Sequence, residues 1–163
     1  MSEQDWRDQL YAAFKHRAML YYLIFDELRR ALDEPQAIAI LQRAIRRRGE
    51  VVGQQYAAFA PADLAGLCDA FLANIPDAGH MFSAKVERCD AGHLDITLQS
   101  CPLKDAWQEA GLSDQDVATL CRIAAAIDEG TFEGAGFAFS ADTWRPACDG
   151  CCHLHIRPGQ GKR

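Results

Sequence analysis

The chain has 163 residues, enough to enclose one continuous apolar core, and its 49% hydrophobic and 25% charged residues exclude the disordered and fibrous classes. Its formal net charge of -6 repels a phosphate backbone, so nucleic acid is not an expected partner. The longest apolar run, 18–25, has eight residues against the about 20 that span a membrane, and the opening Met-Ser-Glu-Gln-Asp leads into no uncharged apolar export signal. We therefore expect a cytoplasmic protein of one domain, 1–163, with no membrane partner.

Apolar Leu10, Phe14, Leu20, Leu23 and Leu28, separated by charges, predict a long amphipathic helix over 5–32 capped near Ser2. Asp33 and Pro35 stop it and cap a second helix, in which Ile38, Leu41, Ile45, Val52 and Tyr56 recur at helical spacings. The two helices are expected to pair, with Arg43, Arg46, Arg47 and Arg48 as a solvated helix face. Gly49 and Gly53, four apart on one face, allow either close packing with a neighbour or a helix break. Pro61 closes the segment and a shorter helix follows over 62–73. From about residue 80 the character changes. Segments 82–88 and 93–98 alternate apolar and polar residues about Asp90-Ala91-Gly92, a hairpin signal. Helices are expected over 101–109 and 113–127, then a glycine-rich connection over 130–136, a strand near Phe137 and a last strand over 153–156. The predicted class is α+β. Long helices over about 1–75 pack with a small antiparallel sheet and helices over about 80–157.

Seven cysteines in a reducing compartment suit metal, redox or catalytic work better than disulfides. The segment 148–155, CDGCCHLH, holds three thiols and two imidazoles, and its C-x-x-C core can close on a thiophilic ion with Gly150 turning the backbone. Free cysteines are also common small buried residues, and that reading stays open here. On a strand, Cys152 and His153 would face opposite ways, with Cys151, His153 and His155 sharing a face. Cys101 stands where a strand gives way to a helix, a place where free amides and the positive helix end stabilise a thiolate. Cys121 falls at an apolar helical phase with Val117 and Ala124, and Cys68 and Cys89 have no supporting pattern. Asp128 ends the predicted Cys121 helix, either facing a site or solvated at a helix end.

With Cys101-Pro102, Leu120-Cys121, Asp128, Gly136-Phe137, Thr143 and 150–152 in this order, the region 82–157 resembles the L-2-amino-thiazoline-4-carboxylic acid hydrolase family. The resemblance implies hydrolytic opening of a small cyclic amidine–thioether, a step from a thiazoline toward L-cysteine through a carbamoyl intermediate. The chain departs from the family picture by packing Cys148, Cys151 and Cys152 with His153 and His155 where one late cysteine is expected. Combined with Cys101 and Cys121, these thiols would serve an iron–sulfur cluster or zinc. Three readings follow. In the first, a hydrolase uses Cys101, Cys121, Cys148, Cys151 and Cys152 as metal ligands, with Asp128 or His155 moving protons; its metal-free variant uses Cys101 as nucleophile. The second is a redox or sensor module without hydrolase activity, and the third a structural zinc site. The expected partner is a small-molecule substrate, with the N-terminal helices as a surface for a homo-oligomer.

Overall fold

The computed structural model of the protein describes residues 2–148 and 150–160. Asp149, in the middle of the C-x-x-C segment, and the basic end of the tail, 161–163, lie outside the described residues. The described elements run α1 (Glu3–Ala31), α2 (Glu34–Gly53), a 3-10 helix (Gln54–Phe59), α3 (Leu64–Ala73), β1 (Ala84–Cys89), β2 (Leu94–Leu98), α4 (Pro102–Glu109), α5 (Asp114–Ala124), α6 (Ala126–Ala135), β3 (Ala138–Asp142) and β4 (Cys152–Arg157). The α+β class expected from the sequence is the class found. The strands form one antiparallel sheet in the order β1-β2-β4-β3.

Local chemistry sets the boundaries. Ser2 and Asp5 form a reciprocal capping box at the start of α1. Asp33 accepts a 2.8 Å hydrogen bond from the Gln36 amide, with Pro35 in the first turn of α2. Asp90 accepts from the Gly92 amide at 2.8 Å and closes the β1–β2 hairpin.

The large residues of α1 mislead about its buried face. Leu20 and Leu23 are 45% and 52% exposed, whereas Ala18 and Phe25 are fully buried. The helix rests on α4 at Ala18, where a small side chain lets the Trp107 indole donate a 2.8 Å hydrogen bond to the Ala18 carbonyl. The two long helices touch, but α2 makes its main contact with α6. This corrects the glycine-rich connection expected over 130–136, which is helical through Ala135. Close backbone approach is the reason. A Cβ on Gly49 would lie 2.3 Å from the Ile127 carbonyl oxygen, one on Gly53 2.2 Å from that of Thr131, and one on Gly130 2.1 Å from that of Arg46. The glycines of both helices thus belong to one seam, and contact across it offsets their poor helix propensity. Arg46 spans it with 2.7 Å ion pairs to both Glu129 and Glu133, so it is not a simply solvated charge like Arg47 and Arg48. Gly130→Ala is expected to cost about 3 kcal/mol or more, read from the urea midpoint, because backbone on both sides of the added methyl has nowhere to relax.

Two apolar cores result. One joins α1, α2, α4 and α5 around Phe25, Trp107, Val117 and Leu120. The other lies under the sheet, where Leu94, Ile96, Leu98, Leu154 and Ile156 meet α3 and Phe132 of α6. Cys152 packs against both. Among the described residues no helix is long and apolar enough to cross a membrane.

Candidate functional site

A cavity of about 260 Å³ lies at the seam between the two cores. Its wall is largely apolar, including Tyr56, Phe71, Phe82, Leu98, Leu103 and Trp107, and four cysteines enter it: Cys101, Cys121, Cys151 and Cys152. Each comes from a different place in the chain. Cys101 is the residue before α4, in extended conformation, with Pro102 in the first turn. Cys121 is buried in α5, Cys151 lies just before β4, and Cys152 opens that strand. The Cys151 amide donates 2.9 Å to the Leu98 carbonyl, which ties the late cysteine segment to the end of β2 and so to Cys101. Gly150 makes the preceding turn with φ +75°, a left-handed conformation that suits glycine.

Cys151 sits at the centre of the sulfurs. Its Sγ is 3.5 Å from that of Cys152 and it also interacts with the thiols of Cys101 and Cys121. Cys101 and Cys151 therefore divide one charge unequally. The Cys151 thiol, followed by the Lys104 and Leu103 amides at the head of α4, holds Cys101 below its ordinary value against the opposing effect of burial. Those amides make no strict capping hydrogen bond to the sulfur and act on it as a field from the helix end. Cys151 moves the other way, since contact with Cys101, then Cys121 and Cys152, favours its protonated form. Of the two, Cys101 is the thiol that ionises more readily and Cys151 the one that keeps its proton.

Asp128 lines the same cavity from the first turn of α6. Its side chain is half-buried. With no hydrogen-bond or ion-pair partner among the described residues, burial pushes it up to about 7. The uncharged polar side chains in the wall are already engaged. The Asn74 amide donates to the Tyr56 hydroxyl at 3.2 Å and the Gln55 side chain at 3.3 Å, and the Thr131 hydroxyl donates to the Ile127 carbonyl at 2.7 Å. A thiol held below its ordinary value and a carboxyl raised above its own thus line one cavity, a combination of opposite shifts that is common at functional sites.

Two sequence candidates stand elsewhere. His155 is not in the cavity wall; it faces outward on β4, with Nδ1 2.8 Å from Asp95 and Nε2 3.1 Å from Asp142. Asp95 foremost, with Asp142, raises its pKa, as in a structural ion pair. Cys148 is likewise outside the wall, accepting a 3.2 Å hydrogen bond from Arg145. The shared face expected for Cys151, His153 and His155 does not form. The strand begins only at Cys152, so alternation does not reach Cys151, which turns inward while both histidines point out. Among the described residues, no three His, Cys, Asp or Glu side chains stand in the arrangement of a metal-ion cage. The sequence missed Arg17, Tyr56, Asn74 and Trp107, which reach the cavity from elements whose spacing marks only helix and core.

A model of the L-2-amino-thiazoline-4-carboxylic acid hydrolase family matches residues 11–156. The chain belongs to this family. The match takes in α1 from residue 11 and all of α2, together with residues 82–156 of the cysteine-bearing region. No curated protein matches the chain. Among solved structures, trafficking protein particle complex subunit 3 from Naegleria fowleri, covalently bound to palmitic acid, is similar over 93% of this chain and 98% of that one, with a TM-score of 0.59 and 12% identity. At that identity the likeness is one of fold. Family membership supports hydrolase-like activity, and Cys101, Cys121, Asp128 and Cys151 lie within the matched residues and share the cavity.

Proposed function

We propose that this family member is a cysteine-dependent hydrolase that opens a 2-aminothiazoline or a related small cyclic amidine in the cavity, with Cys101 as nucleophile and Asp128 as proton carrier. The observation that carries this reading is that Cys101, at the head of α4 and against the Cys151 thiol, shares one apolar cavity with an Asp128 carboxyl that has no partner among the described residues. The Cys101 thiolate attacks the amidine carbon between the ring nitrogen and ring sulfur. The bond from that carbon to the ring sulfur breaks, and the departing sulfur takes the Asp128 proton. Water then adds to the same carbon, Asp128 takes a proton from it, and Cys101 leaves as thiolate. One water is consumed, no redox change occurs, and the product carries a carbamoyl nitrogen and a free thiol. The volume, about 260 Å³, lies just below the about 300–1,000 Å³ usual for ligand pockets and favours a compact ring over a palmitoyl chain. Incubation with 2-aminothiazoline-4-carboxylate, followed by mass spectrometry, should yield the ring-opened carbamoyl product; no turnover of any 2-aminothiazoline would sink the reading.

A second reading keeps the same sulfurs. Contacts from Cys151 to Cys101, Cys121 and Cys152 make a thiophilic donor set suited in chemistry to zinc or an iron–sulfur cluster, although the described side chains lack the arrangement of a cage. Bound there, such a centre would supply Lewis acidity or electron transfer, the latter making the protein a redox or sensor module. Protein purified without oxygen would then contain zinc, or iron with acid-labile sulfide, and both Cys101→Ala and Cys151→Ala would lose it. Homo-oligomer formation through α1, where Leu20, Leu23 and Ile24 are exposed, belongs to the same proposal and is read by sedimentation equilibrium.

A further inference from the structure

Arg17 lines the cavity from α1 and supplies its positive charge: among the described lining residues no other is a lysine or arginine. Its exposed guanidinium lies 4.4 Å from the centre of the Phe14 ring and, among the described residues, has no carboxylate partner. This sets it apart from the arginines that tie elements of the fold together. Arg7 pairs with Asp77, Arg29 with Asp26 and Asp116, and Arg46 with Glu129 and Glu133. The cavity meanwhile holds two acidic groups, Cys101 and Asp128, in a chain of net charge -6, so an entering anion is repelled by the molecule as a whole. A guanidinium held against an aromatic face at such a place is oriented by the ring and keeps its planar fork free for a carboxylate.

We propose that Arg17 is the subsite for a carboxylate on the substrate, selecting small anionic heterocycles and directing their electrophilic carbon to Cys101. The assignment rests on the reading of Cys101 as nucleophile. In that arrangement Arg17 touches the end of the substrate that does not react. Its removal weakens capture of carboxylate-bearing molecules more than that of neutral ones of the same size.

The test uses two alkylators of the same size and mechanism, iodoacetate, an anion, and iodoacetamide, which is neutral. Rate constants at Cys101 are followed by peptide mass spectrometry for the wild type, Arg17→Ala, Arg17→Lys and, as a control outside the cavity, Arg48→Ala. The iodoacetate-to-iodoacetamide ratio is expected to fall by about tenfold in Arg17→Ala, since a nearby unpaired charge is worth that order of interaction. Arg17→Lys should keep part of the preference and Arg48→Ala all of it, and added salt should move the wild-type ratio toward that of Arg17→Ala. Unchanged iodoacetamide rates show that the variants keep the Cys101 environment. A ratio indifferent to Arg17, with normal iodoacetamide labelling, overturns the subsite and leaves the nucleophile standing. Failure of iodoacetamide to label Cys101 in the wild type overturns the nucleophile and the subsite together.

Discussion

Replacing Cys101 by Ser is expected to reduce hydrolysis of a 2-aminothiazoline by about a thousandfold or more, with little change in stability. The two side chains are close in size, so the packing against Cys151 and Leu103 survives. The chemistry does not, because the serine hydroxyl stays protonated where the thiol ionises. At Cys101 that ionisation is favoured by the Cys151 thiol and by the Lys104 and Leu103 amides, none of which is strong enough to ionise a hydroxyl. Cys121→Ser provides the contrast. Cys121 is 4% exposed within the apolar core, and a hydroxyl there is expected to lower stability by about 1–3 kcal/mol through its unmet hydrogen bonds. Initial rates and urea midpoints for the two variants should separate the nucleophile from the packing cysteine.

Asp128→Asn is expected to have opposite effects on activity and stability. Burial raises the Asp128 carboxyl from 3.8 to about 7 in the folded protein, so between these values the folded state holds a proton that the unfolded state releases. The sign follows. The contribution of the buried neutral acid is complete below about pH 4, falls as pH rises, and is lost once pH passes about 7. Wild-type stability should therefore decline across that window by up to about 4 kcal/mol, less whatever water in the cavity restores. Asparagine has no charge to bury. The variant should match the wild type near pH 4 and exceed it by about 2–4 kcal/mol near pH 8, as read from denaturation midpoints. Its turnover should drop by about 10²–10⁴-fold, because the departing ring sulfur no longer receives a proton. In the wild type kcat/KM should fall above about pH 7 as Asp128 ionises, and this limb should be absent in the variant. A stability gain at pH 4 equal to that at pH 8 would show that Asp128 does not titrate as described.

The positions of the elements were largely legible from their end signals. Ser2, Asp33 and Pro102 mark helix starts that the structure keeps, and Asp90-Ala91-Gly92 marks the hairpin. These signals are local, a side chain satisfying an amide two or three residues away. The errors lie where a partner distant in sequence decides. Gly130 and Gly134 read as a loop by propensity, yet they are helical because α2 presents Gly49 and Gly53 to the same seam. Leu20 and Leu23 read as core by size, yet Ala18 and Phe25 are what α1 buries. The site shows the same division. Cys101 was marked by the strand-to-helix change, and the late cysteines by their density. That Cys151 faces Cys101 while Cys148 and His155 do not depends on where β4 begins, which alternation alone cannot fix. Asp128 was marked by its place at a helix end, with a site and a solvated end both open; its position in the cavity wall comes from packing across the whole chain.

If Cys101 forms a covalent bond with the substrate while Asp128 moves the protons, an intermediate can be trapped on the enzyme. Acid-quenched mixtures of enzyme and 2-aminothiazoline-4-carboxylate, analysed by intact and peptide mass spectrometry, should show a gain equal to the mass of the substrate on the peptide bearing Cys101, transient in the wild type and absent in Cys101→Ser. Sustained turnover by Cys101→Ser with no adduct at any time would rule out Cys101 as the nucleophile.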